Sequence, residues 1–226
     1  MLKISKRLTK IANMVKHPCG SVVDIGTDHG LLAIYLVQQA IVKCALATDV
    51  NPGPLMRAAA NIHDASLAEK IDTRLCNGLD GIHAGVHDAC IIAGMGGGLI
   101  IKIISQNLEV AHSFKQLILS PQRDVPNVRR FLHANGFAIK DEAMVLENGK
   151  FYNILDCAPE NEPAYENLGY IFGQRLLDKK DNVLAEFIKT ETAKTAKIMG
   201  SIGDDNARWQ ELQVYKKHCE EAAKWL

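Results

Sequence analysis

The segment Val22-Val23-Asp24-Ile25-Gly26-Thr27-Asp28-His29-Gly30-Leu31-Leu32 carries the clearest chemistry in this chain. A β-branched run meets two glycines, Gly26 and Gly30, and the pattern beyond them turns helical. A strand, a tight turn and a helix start in this order let a ligand approach the backbone at the carboxyl end of a strand. A dinucleotide site needs G-x-G-x-x-G, because its middle glycine admits a pyrophosphate. Here the spacing is G-x-x-x-G and Asp28 stands in the turn. A pyrophosphate would be repelled, whereas a ligand bearing a sulfonium and an ammonium would be favoured.

Three more strand ends follow the same plan. Ala47-Thr48-Asp49-Val50 ends the second β-branched run, where an acid can accept both hydroxyls of a ribose. Cys76-Asn77-Gly78-Leu79-Asp80 follows the third, with Asn77 able to bond an adenine edge. Ile92-Ala93-Gly94-Met95-Gly96-Gly97-Gly98 follows the fourth. His83 and His87 are the other pair with ligand-like spacing, but Gly85 lies between them and no third ligand is apparent, so no metal is expected.

These residues need a scaffold, and the alternation of short β-branched runs with longer amphipathic ones predicts βαβ units on a parallel sheet. Strands are expected at 22–25, 44–49, 71–76, 89–93 and 116–120, and helices at 31–39, 52–65, 98–107 and 126–135. Two further strands, 137–145 and 151–157, flank Glu147-Asn148-Gly149-Lys150, and the Asn-Gly signal makes them an antiparallel hairpin. The Pro- and Glu-bearing stretch 158–169 reads as a linker, so the expected division is a ligand-binding α/β domain, 1–160, and a helical hairpin, 161–226. One helix is expected over 172–199. Gly200-Ser201-Ile202-Gly203 would end it, and Asp204 or Asp205 would cap the next. In that second helix Leu212, Tyr215, Cys219, Ala222 and Leu226 form a coiled-coil-like seam.

Net charge is zero over 226 residues, yet the first 20 carry Lys3, Lys6, Arg7, Lys10 and Lys16 with no acid. A polyanion would therefore be held by a local patch. No stretch reaches the ~20 apolar residues of a membrane span. Six scattered cysteines without a CxxC pair indicate reduced thiols, and a cytoplasmic protein with no membrane partner is expected.

The series D-x-G-x-x-x-G, a second-strand acid, N-G-L and G-M-G-G resembles a class I S-adenosylmethionine-dependent methyltransferase. More narrowly, the chain is similar to the bacterial tRNA adenine-N1 methyltransferases that modify adenine 22. Their L-S-K-R-L is matched by Ile4-Ser5-Lys6-Arg7-Leu8, D-I-G-[ST]-D-H by Asp24 to His29, and I-A-G-M-G-G by Ile92 to Gly97. A late D-G-K-x-Y-x-[VI]-L corresponds to Asn148-Gly149-Lys150-Phe151-Tyr152-Asn153-Ile154-Leu155. The family's G-D-G-L appears as Asn77-Gly78-Leu79, and its Q-P-N as Ser120-Pro121-Gln122.

The resemblance implies a Rossmann-like α/β fold, S-adenosyl-L-methionine as cofactor and tRNA as partner, with no oligomer required. It places the cofactor on Asp24, Gly26, Thr27, Asp28, His29, Gly30, Asp49, Val50, Asn77, Gly78, Leu79 and Gly94. It places catalysis at Asp28, Gly94, Met95 and Gly96, and substrate binding at Lys6, Arg7, Pro121 and Tyr152. Asp28 would meet either the exocyclic amine or the methionine ammonium, and Tyr152 would stack on a flipped base. A D/N-P-P-Y/F turn is what an exocyclic amine needs; Gly94-Met95-Gly96-Gly97 instead suits a ring nitrogen such as N1, whose lone pair requires mainly alignment. Residues 21–157 are expected to bind the cofactor alone. Lys3 to Lys16 and the hairpin, with Lys179, Lys180, Lys189, Lys194 and Lys197 on one helix reaching roughly 40 Å, would hold tRNA. A non-catalytic RNA-binding scaffold and a nicotinamide-dependent oxidoreductase are the competing readings.

Overall fold

In the computed structural model of the chain, residues 2–202, 204 and 207–226 are described. Seven strands form one sheet: β1 (Cys19–Ile25), β2 (Val42–Asp49), β3 (Ile71–Leu75), β4 (Ala89–Ala93), β5 (Gln116–Ser120), β6 (Ala138–Glu147) and β7 (Lys150–Ala158). Their order is β3-β2-β1-β4-β5-β7-β6. The first five are parallel, and β7 runs antiparallel between β5 and β6. The expected mixed sheet is therefore present. Asn148 and Gly149 both take positive φ, 50° and 73°, the conformation a tight hairpin turn demands.

Successive strand residues point to opposite faces, and both faces are apolar because helices cover both. Val22, Ala45, Ala47 and Ile91 join one core with residues of α1 (Lys6–Asn13), α2 (Leu31–Gln38) and α3 (Pro52–Asp64). Val23, Leu46, Cys90 and Ile92 join the other with α4 (Gly97–Gln106) and α6 (Val125–Ala134). A short α5 (Leu108–Ser113), which the sequence reading passed over, supplies Ala111 to that second core.

The expected single helix over 172–199 is corrected. The chain instead forms a π-helical turn, Gly169–Gly173, then α7 (Gln174–Asp178), then α8 (Asn182–Met199). Lys180 takes φ 51°, and the Asp181 carboxylate accepts from the backbone N–H groups of Val183 and Leu184, both at 2.9 Å. A cap in the middle of an apolar periodicity starts a new helix. Lys179 and Lys180 thus lie outside α8, whose 18 residues span roughly 27 Å rather than 40. Lys179 pairs with Asp141 on β6.

α8 packs on α9 (Ala207–Ala223), with Leu184 and Ile188 buried against Cys219 and Ala222. This core also takes Met144 and Phe151 from the β6–β7 hairpin, so the two helices are seated on the sheet. α8 ends at Met199 with Gly200 as its C-cap, where the break over Gly200 to Gly203 is expected; of that break and of the expected cap at Asp204 or Asp205, Gly203 and Asp205 lie outside the described residues. Among the described residues no helix is long and apolar enough to cross a membrane.

Candidate active site

The ends of β1, β4 and β5 and the starts of α1 and α2 surround a cavity of about 310 Å³ lined by Arg7, Leu8, Asp24, Gly26 to His29, Leu31, Leu32, Ala93, Gly94 and Gln122; Asp49 at the end of β2 and Asn77 after β3 lie outside this lining. The β1 turn is built by left-handed residues: Gly26 at φ 72°, Asp28 at 54° and Gly30 at 71°. At Gly30 the need is also steric, since a Cβ would stand 3.2 Å from that of Ala58 on α3.

Asp24 is buried and accepts from the Thr27 hydroxyl at 2.6 Å. Burial pushes its carboxyl up to about 6; the Thr27 bond works against that and nearby Asp49 adds to it. Asp49, also buried, accepts from the backbone N–H of Asn51 at 2.8 Å and of Asp28 at 3.4 Å. Asp49 thereby ties the end of β2 to the β1 turn. The Asp28 carboxylate is exposed and faces Arg57 of α3 at 3.4 Å and His29 at 3.5 Å. Val50 and Asn77 are exposed at their strand ends, whereas Leu79 is buried in the core, so only its backbone and that of Gly78 can face a ligand.

Beyond β4 and β5 two turns interlock. The Gly94 N–H donates to the Ser120 carbonyl at 3.2 Å, that of Gln122 to Met95 at 2.9 Å, and that of Gly97 to Arg123 at 3.0 Å. The Met95 side chain lies over Gly26, where its Cε would stand 2.2 Å from an added Cβ. Pro121 is buried within the second turn. Lys6 is exposed, while Arg7 reaches inward to 5.2 Å from the centre of the Tyr152 ring.

Among the described residues two buried side-chain polar atoms lack a hydrogen-bond partner, Arg7 Nη1 and Ser120 Oγ. Both belong to this region, as expected where a ligand completes the bonding. The sequence reading missed Leu8, Leu31, Leu32, Ala93 and Gln122 as lining, and Arg57 as the partner of Asp28. Among the described residues no three His, Cys, Asp or Glu side chains could hold a metal; His87 is instead 3.0 Å from the Ser21 hydroxyl.

A doubly wound sheet ending in an antiparallel hairpin, with acids at the ends of β1 and β2 and a glycine turn after β4, defines a Rossmann-like class I methyltransferase. A family model described as tRNA (adenine(22)-N(1))-methyltransferase matches residues 22–224. The Bacillus subtilis enzyme of that name is 32% identical over 222 residues, covering 96% of this chain and 92% of its own. A Streptococcus pneumoniae protein solved with S-adenosyl-L-methionine superposes with TM-score 0.88 at 30% identity, covering 98% of this chain and 100% of its own. Mycoplasma capricolum TrmK with S-adenosyl-homocysteine gives TM-score 0.88 at 26% identity, with 98% of each chain covered. The chain belongs to the tRNA (adenine(22)-N(1))-methyltransferase family.

Proposed function

We propose that this protein transfers a methyl group from S-adenosyl-L-methionine to N1 of adenine 22 in tRNA, with the residues singled out above as its site. The observation that carries the reading is the pair of interlocked turns beside the acid-lined cavity, in a chain of this family. The cavity fits the cofactor chemically. Within its lining Asp24 suits an ammonium and the orphaned Arg7 Nη1 leaves an anion-accepting position, while Asp49, outside the lining but tied to the β1 turn through the Asp28 N–H, suits ribose hydroxyls. When bound, the cofactor supplies an electrophilic methyl group on sulfur.

The protein's own contribution is placement. Gly94 and Gly96 carry no side chains, which lets the guanidinium groups of Arg7 and Arg123 lie against the two turns, and the Gln122 and Met95 bond holds those turns in register. N1 of adenine needs no general base to become nucleophilic, so orientation and exclusion of water suffice. Around the mouth stand the exposed Lys6, Arg57 and Arg123, suited to phosphates of the folded RNA.

The test is a tRNA transcript incubated with protein and labelled cofactor, digested and chromatographed against standards. We expect 1-methyladenosine, which is cationic near neutral pH, and none from a transcript with adenine 22 replaced. A peak at the N6-methyladenosine standard, with alkaline rearrangement excluded, or methylation of the replaced transcript would overturn the reading.

Asp24 gives a second expectation. A cationic ligand favours its charged form, so binding must release the proton that Asp24 holds below about pH 6. Affinity then falls as pH drops through that value, by about fourfold between pH 7.5 and 5.5. Asp24→Asn should bind more weakly at pH 7.5 and lose most of this dependence in calorimetric titrations. A wild-type affinity flat across that range would remove Asp24 from the ammonium's surroundings.

A further inference from the structure

Arg7 belongs to the cavity more than to the surface. Its Nη1 is buried and unpartnered, and an ionised donor left so is costly unless an acceptor arrives. The guanidinium is also held in place. Its Nη1 lies 3.4 Å from where a Gly94 Cβ would stand, and the Tyr152 ring flanks it. The helix that carries it is capped twice: the Ser5 hydroxyl accepts from Leu8 N–H at 3.2 Å, and Glu147 accepts from the N–H groups of Lys6 at 2.6 Å and Arg7 at 3.4 Å. Glu147 closes β6, so α1 is fastened to the β6–β7 hairpin by its first turn.

The charge that Arg7 would meet follows from the sheet order. If the cofactor's ribose lies at Asp49, its adenine lies toward β3, and its amino-acid end crosses β1 toward β4. That end bears an ammonium and a carboxylate. The other ionisable groups lining the cavity are Asp24, Asp28 and His29. The two acids suit the ammonium and repel the carboxylate, and Arg7 is the Lys or Arg side chain in the lining that can neutralise it.

We propose that Arg7 binds the carboxylate of the cofactor's amino-acid moiety, and that α1 is a wall of the cofactor site whose exposed Lys6 and Lys10 alone face outward to RNA. This rests on the cofactor reading above. It moves the cofactor-binding unit to include residues before Ser21, so a fragment beginning there would lack the clamp.

The test is calorimetric titration of the full chain with S-adenosylmethionine and with its decarboxylated analogue, which keeps the sulfonium, ammonium and ribose. Wild type should prefer the intact cofactor at least ~10-fold, the range of a charge-assisted bidentate bond. Arg7→Met should lose that preference, binding both with about the affinity wild type shows for the analogue. Arg7→Lys keeps the charge and the stem beside Tyr152, so it guards against misfolding; it should retain a reduced preference. The proposal falls if Arg7→Met discriminates as wild type does, or if either folded variant binds the cofactor normally and loses only tRNA. Wild type that binds the two ligands equally overturns the proposal but leaves the cofactor reading intact; wild type that binds neither overturns both.

Discussion

Arg129→Met is expected to destabilise the protein by about 3 to 5 kcal/mol, the range for breaking a buried ion pair from one side. Arg129 of α6 and Glu142 of β6 are almost inaccessible, with side chains 1% exposed each, and meet at 2.7 Å. The same guanidinium donates to the Tyr170 carbonyl at 2.9 Å, the Ile171 carbonyl at 3.1 Å and Asn153 at 3.2 Å. The substitution therefore strands a buried carboxylate and two carbonyls of the π-helical turn. Gly173 leaves room for the pair: at φ 99°, a Cβ there would stand 2.8 Å from Glu142 Oε2 and 2.9 Å from Arg129 Nη2. Removing both charges, in R129M/E142L, should recover part of the loss, because an uncompensated charge costs more than an apolar pair. Urea unfolding of the three proteins checks this. A single-variant loss below about 1 kcal/mol, where exposed pairs fall, would show that the pair does not hold the appendage.

That pair is one node of a wider junction. Glu162 accepts from His133 at 2.7 Å, from Arg175 at 2.5 Å and from the Ile139 N–H at 2.6 Å. The Tyr165 hydroxyl also donates to Glu162 at 3.0 Å. Burial, with the Glu162 charge behind it, pushes that hydroxyl far above the usual phenol range and keeps it a donor. Phe172, Leu176 and Leu177 bury themselves in the core that also holds Leu184 and Ile188 of α8, Cys219 and Ala222 of α9 and Met144 of β6. We therefore propose that residues 161–178 are the junction that fastens the α8–α9 hairpin to the sheet, polar toward α6 and β6 and apolar toward α8 and α9.

Local chemistry was legible in the sequence, and long-range partnership was not. β4 and β5 fall on the expected residues, Ala89–Ala93 and Gln116–Ser120, because each is a short apolar run bounded by residues that interrupt it. The glycine turns could be read because positive φ is a property of single positions. β1 begins three residues earlier than Val22 because Cys19 pairs with Val42, a register that Gly20 conceals. The split before α8 was missed because Leu177, Val183 and Leu184 keep helical spacing across it, and the Lys180-Asp181 cap signal is only two residues long. Arg57, Gln122 and the inward turn of Arg7 depend on contacts between distant segments. Arg129 reads in sequence as one cation of a surface helix, and only the fold gives it Glu142.

The largest effect on turnover should come from one methyl group. Gly97 begins α4 at the point where the turns after β4 and β5 cross, and its N–H donates to the Arg123 carbonyl at 3.0 Å. A Cβ there would lie 2.7 Å from that same carbonyl oxygen, 3.0 Å from that of Asp124 and 2.9 Å from Val128 Cγ2. Two of these neighbours are backbone, so Gly97→Ala cannot be absorbed by a rotamer and must push the Ser120 to Arg123 turn away from Gly94 and Met95. A displacement of about 1 Å at a site that works by alignment costs on the order of 100-fold in rate, whereas the acids at the ends of β1 and β2 are untouched and cofactor affinity should change little. Gly98 is the control. A Cβ there meets nothing within 4 Å, so Gly98→Ala should keep wild-type turnover and gain up to about 1 kcal/mol from helix propensity. Single-turnover methylation of tRNA and cofactor titration, run on both variants, separate the effects: Gly97→Ala within twofold of wild type would mean the turns act independently, and the alignment argument for N1 would lose its structural basis.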